Sequence, residues 1–283
     1  MNFGHSVEIS HIFHQADVYL KDMDIDVSNG SLKIVPWDQG DVRIECQAKV
    51  YRVETQEQAR QSFLKDVVFA IEGEKLRFLT QQKWMKVDAV VFVPHSQYEK
   101  VRVRMFNGPI TGEELNINDF RIKTANGKIE FASVSGNRLE AETANGHIKI
   151  MNSTVNRLEA ETINGAINLE GDFRKVEAQT FNGNLTCHLQ GTECESISVK
   201  GTTGSIDLFV PPGMKMDGEL KSNLGGFNVK LEGIQIVEDK SEVIQKLLRF
   251  KSIDSGSGAA KVLADTKTGS ITIHQSEGVA PFK

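Results

Sequence analysis

Five glutamates, Glu140, Glu142, Glu159, Glu161 and Glu177, stand at matching places in successive stretches of this chain, so stacking those stretches would align them as an acidic stripe. Carboxylates in a column repel one another and attract cations, which makes the stripe a candidate interaction surface for a cationic peptide, a basic protein domain or Ca²⁺. The plainer reading is a solvated face, in which Arg138, Arg157 and Lys175, each two positions earlier, screen the carboxylates as surface pairs. His11-x-x-His14, with His5 nearby, has metal-ligand residue types but no third convergent ligand, so no metal is expected. Cys187 and Cys194 fall at apolar positions and read as core, and three cysteines are too few for a disulfide framework. Trp37, Trp84 and Phe106 could offer an aromatic contact to sugar or membrane, although single aromatics in such a region usually pack inward.

The sequence holds no G-x-S-x-G, phosphate loop or spaced Cys/His set. No catalytic or cofactor-binding residue is therefore assigned, and the chain reads as a non-enzyme. The opposing reading, from fold analogy, is a glycan-active β-helix enzyme whose carboxylates would work as a pair in a groove. With 33 basic against 38 acidic residues, the chain has no general cationic field, so nucleic acid is not an expected partner. No run approaches the ~20 apolar residues of a membrane-spanning helix, and Met1 to Ser10 lacks the pattern of a secretion signal.

What would position the glutamates is a repeat. Asn107-Gly108, Asn126-Gly127, Asn145-Gly146, Asn164-Gly165 and Asn182-Gly183 recur at steps of 19, 19, 19 and 18. Thr203-Gly204, Leu224-Gly225 and Thr268-Gly269 continue it at steps of 21, 21 and 44, the last implying an insertion, and Asn29-Gly30 is a diverged first copy. Within a unit, as from Leu139 to Ile150, apolar and polar residues alternate on both sides of the corner, which marks two strands with one buried face. Asn-Gly supplies the positive-φ residues of a tight corner.

Two strands alone bury too little to be stable, but equivalent strands stacked in parallel share continuous interior columns. Leu139, Leu158, Val176 and Ile197 would form one column, and Ile129, Ile148, Ile167, Leu185 and Ile206 another. Thr124, Thr143, Thr162 and Thr180 should stack, as should the corner asparagines, whose amides donate and accept along the column. The expected fold is all-β, a parallel β-solenoid of roughly 19-residue coils.

Residues 1–105 read as a strand-rich cap, continuous with the coils, with one helix starting at Thr55, and residues 106–230 as the regular coils. Residues 231–258 form an insertion and flexible loop. There, Asp239-Lys240-Ser241-Glu242 could open an amphipathic helix through Val243, Ile244, Leu247 and Leu248, with a strand as the other option. Residues 259–283 read as a closing coil and tail.

The Thr-x-Asn-Gly-x-Ile columns, Val93-Pro94 and Tyr98 before them, and Phe209-Val210-Pro211-Pro212-Gly213 after the sixth glycine together resemble the bacterial "putative adhesin" β-strand-repeat family, over about residues 20 to 275. Within that family the chain is similar to the C-terminal β-domain of LiaX-type envelope stress-response proteins. The resemblance implies a cell-envelope or surface location and a regulatory role in resistance to antimicrobial peptides. The partner it implies is a membrane stress-signalling protein or a cationic antimicrobial peptide. It transfers no catalytic residue. Self-association of coils into an adhesin-like scaffold or filament is the other non-enzymatic reading.

Overall fold

The computed structural model describes residues 4–13, 20–80, 82–242, 244–253 and 258–276 and shows an all-β chain, with 22 strands and one helix among those residues. Two compact units divide it, Met1–Ala144 and Asn145–Lys283. Among the described residues no helix is long and apolar enough to cross a membrane.

In the first unit the strand Asp22–Trp37 sets the pattern, because it turns at Asn29-Gly30 and its halves take different neighbours. The half before the corner lies parallel between Lys75–Thr80 and Gln97–Asn107, and the half after it between Met85–Pro94 and Ile110–Glu113. Gln97–Asn107 pairs onward in parallel with Asn116–Asn126, with Asn107 opposite Asn126, and Ile110–Glu113 pairs with Ile129–Ala132. Period-two alternation sends Ile25, Val103 and Ile122 inward, each 0–1% exposed.

The start of this unit is antiparallel. His5–Phe13 pairs with Val42–Val50, which pairs with Met85–Pro94, while Val67–Glu72 pairs with Lys75–Thr80. The helix expected from Thr55 is Gln56–Asp66, and its first turn is closed by a capping box between Thr55 and Gln58. It buries Ala59 and Phe63, and Phe63 meets Phe69, which stacks on Phe78. The helix packs against His5–Phe13, Val42–Val50 and Val67–Glu72.

In the second unit Ile148–Asn164 and Ile167–Asn182 run parallel, Leu158 opposite Val176 and Asn164 opposite Asn182. Ile167–Asn182 then pairs with Leu185–Leu189 and Ser196–Thr203. Beyond this rung, spatial order departs from chain order. The expected closing coil, Ala260–Thr266 and Ile271–Gln275, does not close the stack. Its strands lie parallel between Ser196–Thr203 and Met216–Ser222, and between Ile206–Val210 and Phe227–Lys230. The 44-residue step thus carries the chain out and back by one rung.

The outward excursion is a hairpin, which corrects the helix option for the insertion. Ile234–Ser241 is antiparallel to Lys246–Ser252, itself antiparallel to Met216–Ser222. Leu248 and Phe250 are both buried, opposite Leu220 and Gly218, a period of two that a helix cannot satisfy. Ser241, read as part of a helix cap, ends a strand, and Val243 lies outside the described residues.

The corners also need a correction. Among the described residues the non-glycine residues with positive φ are Arg52, Glu114, Ser133 and Asn152, so the corner asparagines do not take the positive φ expected of them. Glycine is required by crowding: a Cβ on Gly127 would sit 1.9 Å from the Gly108 carbonyl oxygen, and one on Gly165 would sit 2.0 Å from that of Gly146. The asparagine side chains form hydrogen-bonded ladders. Asn126 Nδ2 donates to Asn107 Oδ1 at 2.8 Å in the first unit, and Asn182 Nδ2 donates to Asn164 Oδ1 at 2.8 Å in the second. Each column threonine points inward and donates to a corner carbonyl, as Thr162 does to Gly146 at 2.9 Å.

Candidate functional site

Strand alternation turns all five stripe glutamates outward. In the first unit, Arg138 lies 3.0 Å and Arg121 3.9 Å from Glu140, and Lys123 lies 2.7 Å from Glu142. In the second, Arg157 bridges Glu159 at 2.6 Å and Glu177 at 3.0 Å, while Glu161 stays exposed opposite Gln179. Lys175 pairs with Glu195 at 3.4 Å. A basic column missed in sequence stands in the first unit, with Arg102 opposite Arg121 and Arg104 opposite Lys123. The flank is therefore a lattice of ion pairs between partly exposed groups, each worth little.

Three other sequence candidates resolve simply. His11 stacks on Phe69 at 4.9 Å, and burial lowers its pKa, so it sits in an aromatic contact. His14 lies outside the described residues, and among those described no His/Cys/Asp/Glu group could hold a metal ion. Cys187 and Cys194 are buried, and Cys46 is buried with them. Phe106 is half-exposed under the Lys83 ammonium, and Trp84 is half-buried with its indole N–H donating to Gln82.

A better candidate lies on the outer face of the first unit. Strands His5–Phe13, Val42–Val50, Met85–Pro94, the second half of Asp22–Trp37, and Ile110–Glu113 stand side by side, and their outward side chains line a cleft of about 600 Å³. Register sorts the floor into two rows. Glu8, Gln47, Asp88 and Ser31 face one another across one row, and Ser10, Glu45, Val90, Lys33 and Thr111 across the next. Rows follow from pairing, since every second residue on each strand points to the same face and neighbouring strands lie ~4.8 Å apart.

The floor is held by its own contacts. Asp88 accepts from Ser31 Oγ at 2.7 Å and from Lys86 Nζ at 2.8 Å, and that hydrogen bond, with the charge behind it, raises the pKa of Lys86. Glu45 lies 3.2 Å from Arg43, and Lys33 lies 3.7 Å from Glu113. Beyond the second row, Phe92 faces Arg43, and the guanidinium sits 4.6 Å from the ring centroids of both Phe92 and Trp37. The two rings are 5.4 Å apart, and the Trp37 indole donates to the Asp41 carbonyl at 2.7 Å. Trp37, one of the sequence candidates, is thus a half-buried rim group on the outer face.

Comparison with known proteins places the chain. The family model described as Toastrack DUF4097 matches residues 20–274. A Bacillus subtilis (strain 168) protein described as uncharacterized protein YvlB is 45% identical over 277 residues, which is 98% of this chain and 76% of that protein. Among solved structures, a protein described as a putative adhesin from Bacteroides fragilis aligns at 14% identity and TM-score 0.47, over 94% of this chain and 97% of that one. One described as a putative lipid binding protein from Parabacteroides distasonis aligns at 11% identity and TM-score 0.45, over 98% of each chain.

Proposed function

As this chain belongs to the Toastrack DUF4097 family, we propose that it is a non-enzymatic binding module of the bacterial cell envelope, a β-solenoid scaffold whose outer face engages an extended partner. The observation that carries this reading is the two-row cleft: a concave floor of fixed polar side chains on paired strands, flanked by aromatic rings. Pre-ordered groups lose little entropy on binding, and a floor built on strands keeps its geometry. Asp88 accepts from Ser31 on one oxygen and from Lys86 on the other, which fixes its carboxylate on the floor with acceptor capacity left for a partner.

Co-sedimentation with isolated envelope material tests the cleft. Val90 is a half-buried floor residue, so Val90→Trp fills the floor from outside the core. The parent should be retained and the variant should lose at least tenfold in apparent affinity; equal retention would remove the cleft from the function. A cationic antimicrobial peptide, the partner implied by the resemblance, would meet Glu140, Glu142 or Glu159 only by displacing Arg138, Lys123 or Arg157. Titrating such a peptide against Glu140→Gln/Glu142→Gln reads this directly, because a peptide held by the stripe binds the variant more weakly and with a flatter salt dependence.

A further inference from the structure

We infer that the open edge of the insertion hairpin binds a second copy of this chain, closing a two-fold dimer through Ile234, Gln235 and Ile236. The contact is independent of the cleft, since this edge belongs to the second unit. Ile234–Ser241 pairs with Lys246–Ser252 on one side, and among the described residues no strand pairs with it on the other. Its side chains are apolar for so open a place, Ile236 being 47% and Val237 57% exposed. An edge of this kind is a template for a further strand.

Hydrogen bonds within the hairpin fix which groups face the open side. The Ile253 N–H donates to the Gly233 carbonyl at 2.9 Å, which makes these two a hydrogen-bonded pair. In an antiparallel ladder such pairs alternate with pairs that exchange no bond. Ile234 opposite Ser252 and Ile236 opposite Phe250 are of the second kind, so their N–H and C=O groups point away from the hairpin. Past Ile236 the register slips at Val237 and the phase reverses. The Glu242 N–H donates to the Gln245 carbonyl, and counting back from that pair turns the backbone of Glu238 toward Arg249.

That pattern is self-complementary, which selects a second copy as the occupant. Antiparallel pairing about a two-fold axis sets Ile234 against Ile236 of the partner subunit and Ile236 against Ile234 of the partner subunit. Every open N–H and C=O of these residues is then matched. The isoleucines of both copies fall on the face that carries the buried Phe250. Gln235 meets Gln235 of the partner subunit at the axis, on the opposite face, where each amide can donate and accept. No like charges are opposed, because Ile234 to Val237 is neutral and Glu238 is held by Lys240 and, at 2.8 Å, by Arg249. The bulge at Val237 ends the pairing, so the contact closes as a dimer that uses this edge in both copies.

Sedimentation velocity on the purified chain tests the dimer. Between about 1 µM and about 200 µM the parent should pass from monomer to dimer and stop there, the range that suits a small contact. Ile236→Lys puts a charge at the centre of the contact and should weaken association about tenfold or more. Its unfolding temperature should stay in place, because the side chain is half-exposed. Gln235→Cys reads the register: Cα atoms at a non-hydrogen-bonded pair lie ~4.5 Å apart, within disulfide reach, so mild oxidation should link two chains. Asp239→Cys, past the bulge, should not link, and the natural cysteines are buried. A monomer at every concentration would overturn the second copy as occupant and leave the edge to a different chain. A dimer indifferent to Ile236→Lys, or linked through Asp239→Cys in place of Gln235→Cys, would overturn this edge as the contact.

Discussion

Gly165 shows how tightly single residues are bound by the stacking of rungs. Alanine there would place a Cβ 2.0 Å from the Gly146 oxygen, and the carbonyl is backbone that cannot swing away. Gly165→Ala should therefore lose ~2 kcal/mol or more, seen in calorimetry as a lower unfolding temperature. Gly40→Ala is the control, since nothing lies within 4 Å of that position, and it should leave the transition in place. The buried thiols make a second prediction at this scale. Burial pushes Cys46 and Cys187 up to about 12 and Cys194 to about 11. A thiol in an unfolded chain titrates near ~8.5, so the fold favours the protonated form: the stability it contributes is intact below that pH and is lost as pH climbs through the folded values. Urea midpoints should fall between pH 9 and 12. Cys46→Ala/Cys187→Ala should flatten that fall, and a thiol reagent at pH 8 should label the parent only on unfolding. The glycine, threonine and asparagine columns were legible in the sequence because each repeats at a fixed step. The asparagine ladder was legible with its reason, but the crowding that requires glycine was not, since the crowding carbonyl belongs to another rung.

Among the elements, legibility followed how local the determinant is. The helix after Thr55 is fixed by a capping box four residues long, Thr55 to Gln58, and it stands where the sequence put it. The hairpin Ile234–Ser241/Lys246–Ser252 was ambiguous, because Leu247-Leu248 amid charged residues suits either period, and only the strand Met216–Ser222 decides which residue turns inward. Phe250 is that decision made physical: fully buried, its ring fills the space beside Gly218. Phe250→Ala should lose ~3–5 kcal/mol in urea denaturation, the size expected for a large buried ring. Arg249→Met should leave the midpoint nearly unmoved, since the guanidinium between Glu219 and Glu238 is exposed. The cleft lay beyond reach of pattern reading for the same reason: Glu8, Gln47, Asp88, Ser31 and Thr111 are neighbours only across strands, with no shared local signal.

For the second unit as a whole, chain order and rung order part company. The step from Gly225 to Gly269 counts residues, and residues do not say whether the next rung lies above or between those already placed. A chain ended after Gly258 would lose the partner shared by Ser196–Thr203 and Met216–Ser222, two edges at once. Hydrogen exchange should then show protection lost across residues 196–230 but kept across 148–189, and a synthetic peptide of residues 259–276 should restore it. Loss confined to residues 216–230 would argue that the interposed coil contributes no more than a terminal one.

That interposed coil also sets a schedule for biosynthesis. The ribosome delivers Met216–Ser222 and Phe227–Lys230 44 positions before the strands that must pair with them, so this part of the second unit waits, unzipped, for a later-made segment. A message cut short in that interval yields a product with a slot where a strand belongs, the kind of sticky defect that chaperones and proteases seize. The unit is thus tested by its own architecture, since its rungs join only once the interposed strands arrive.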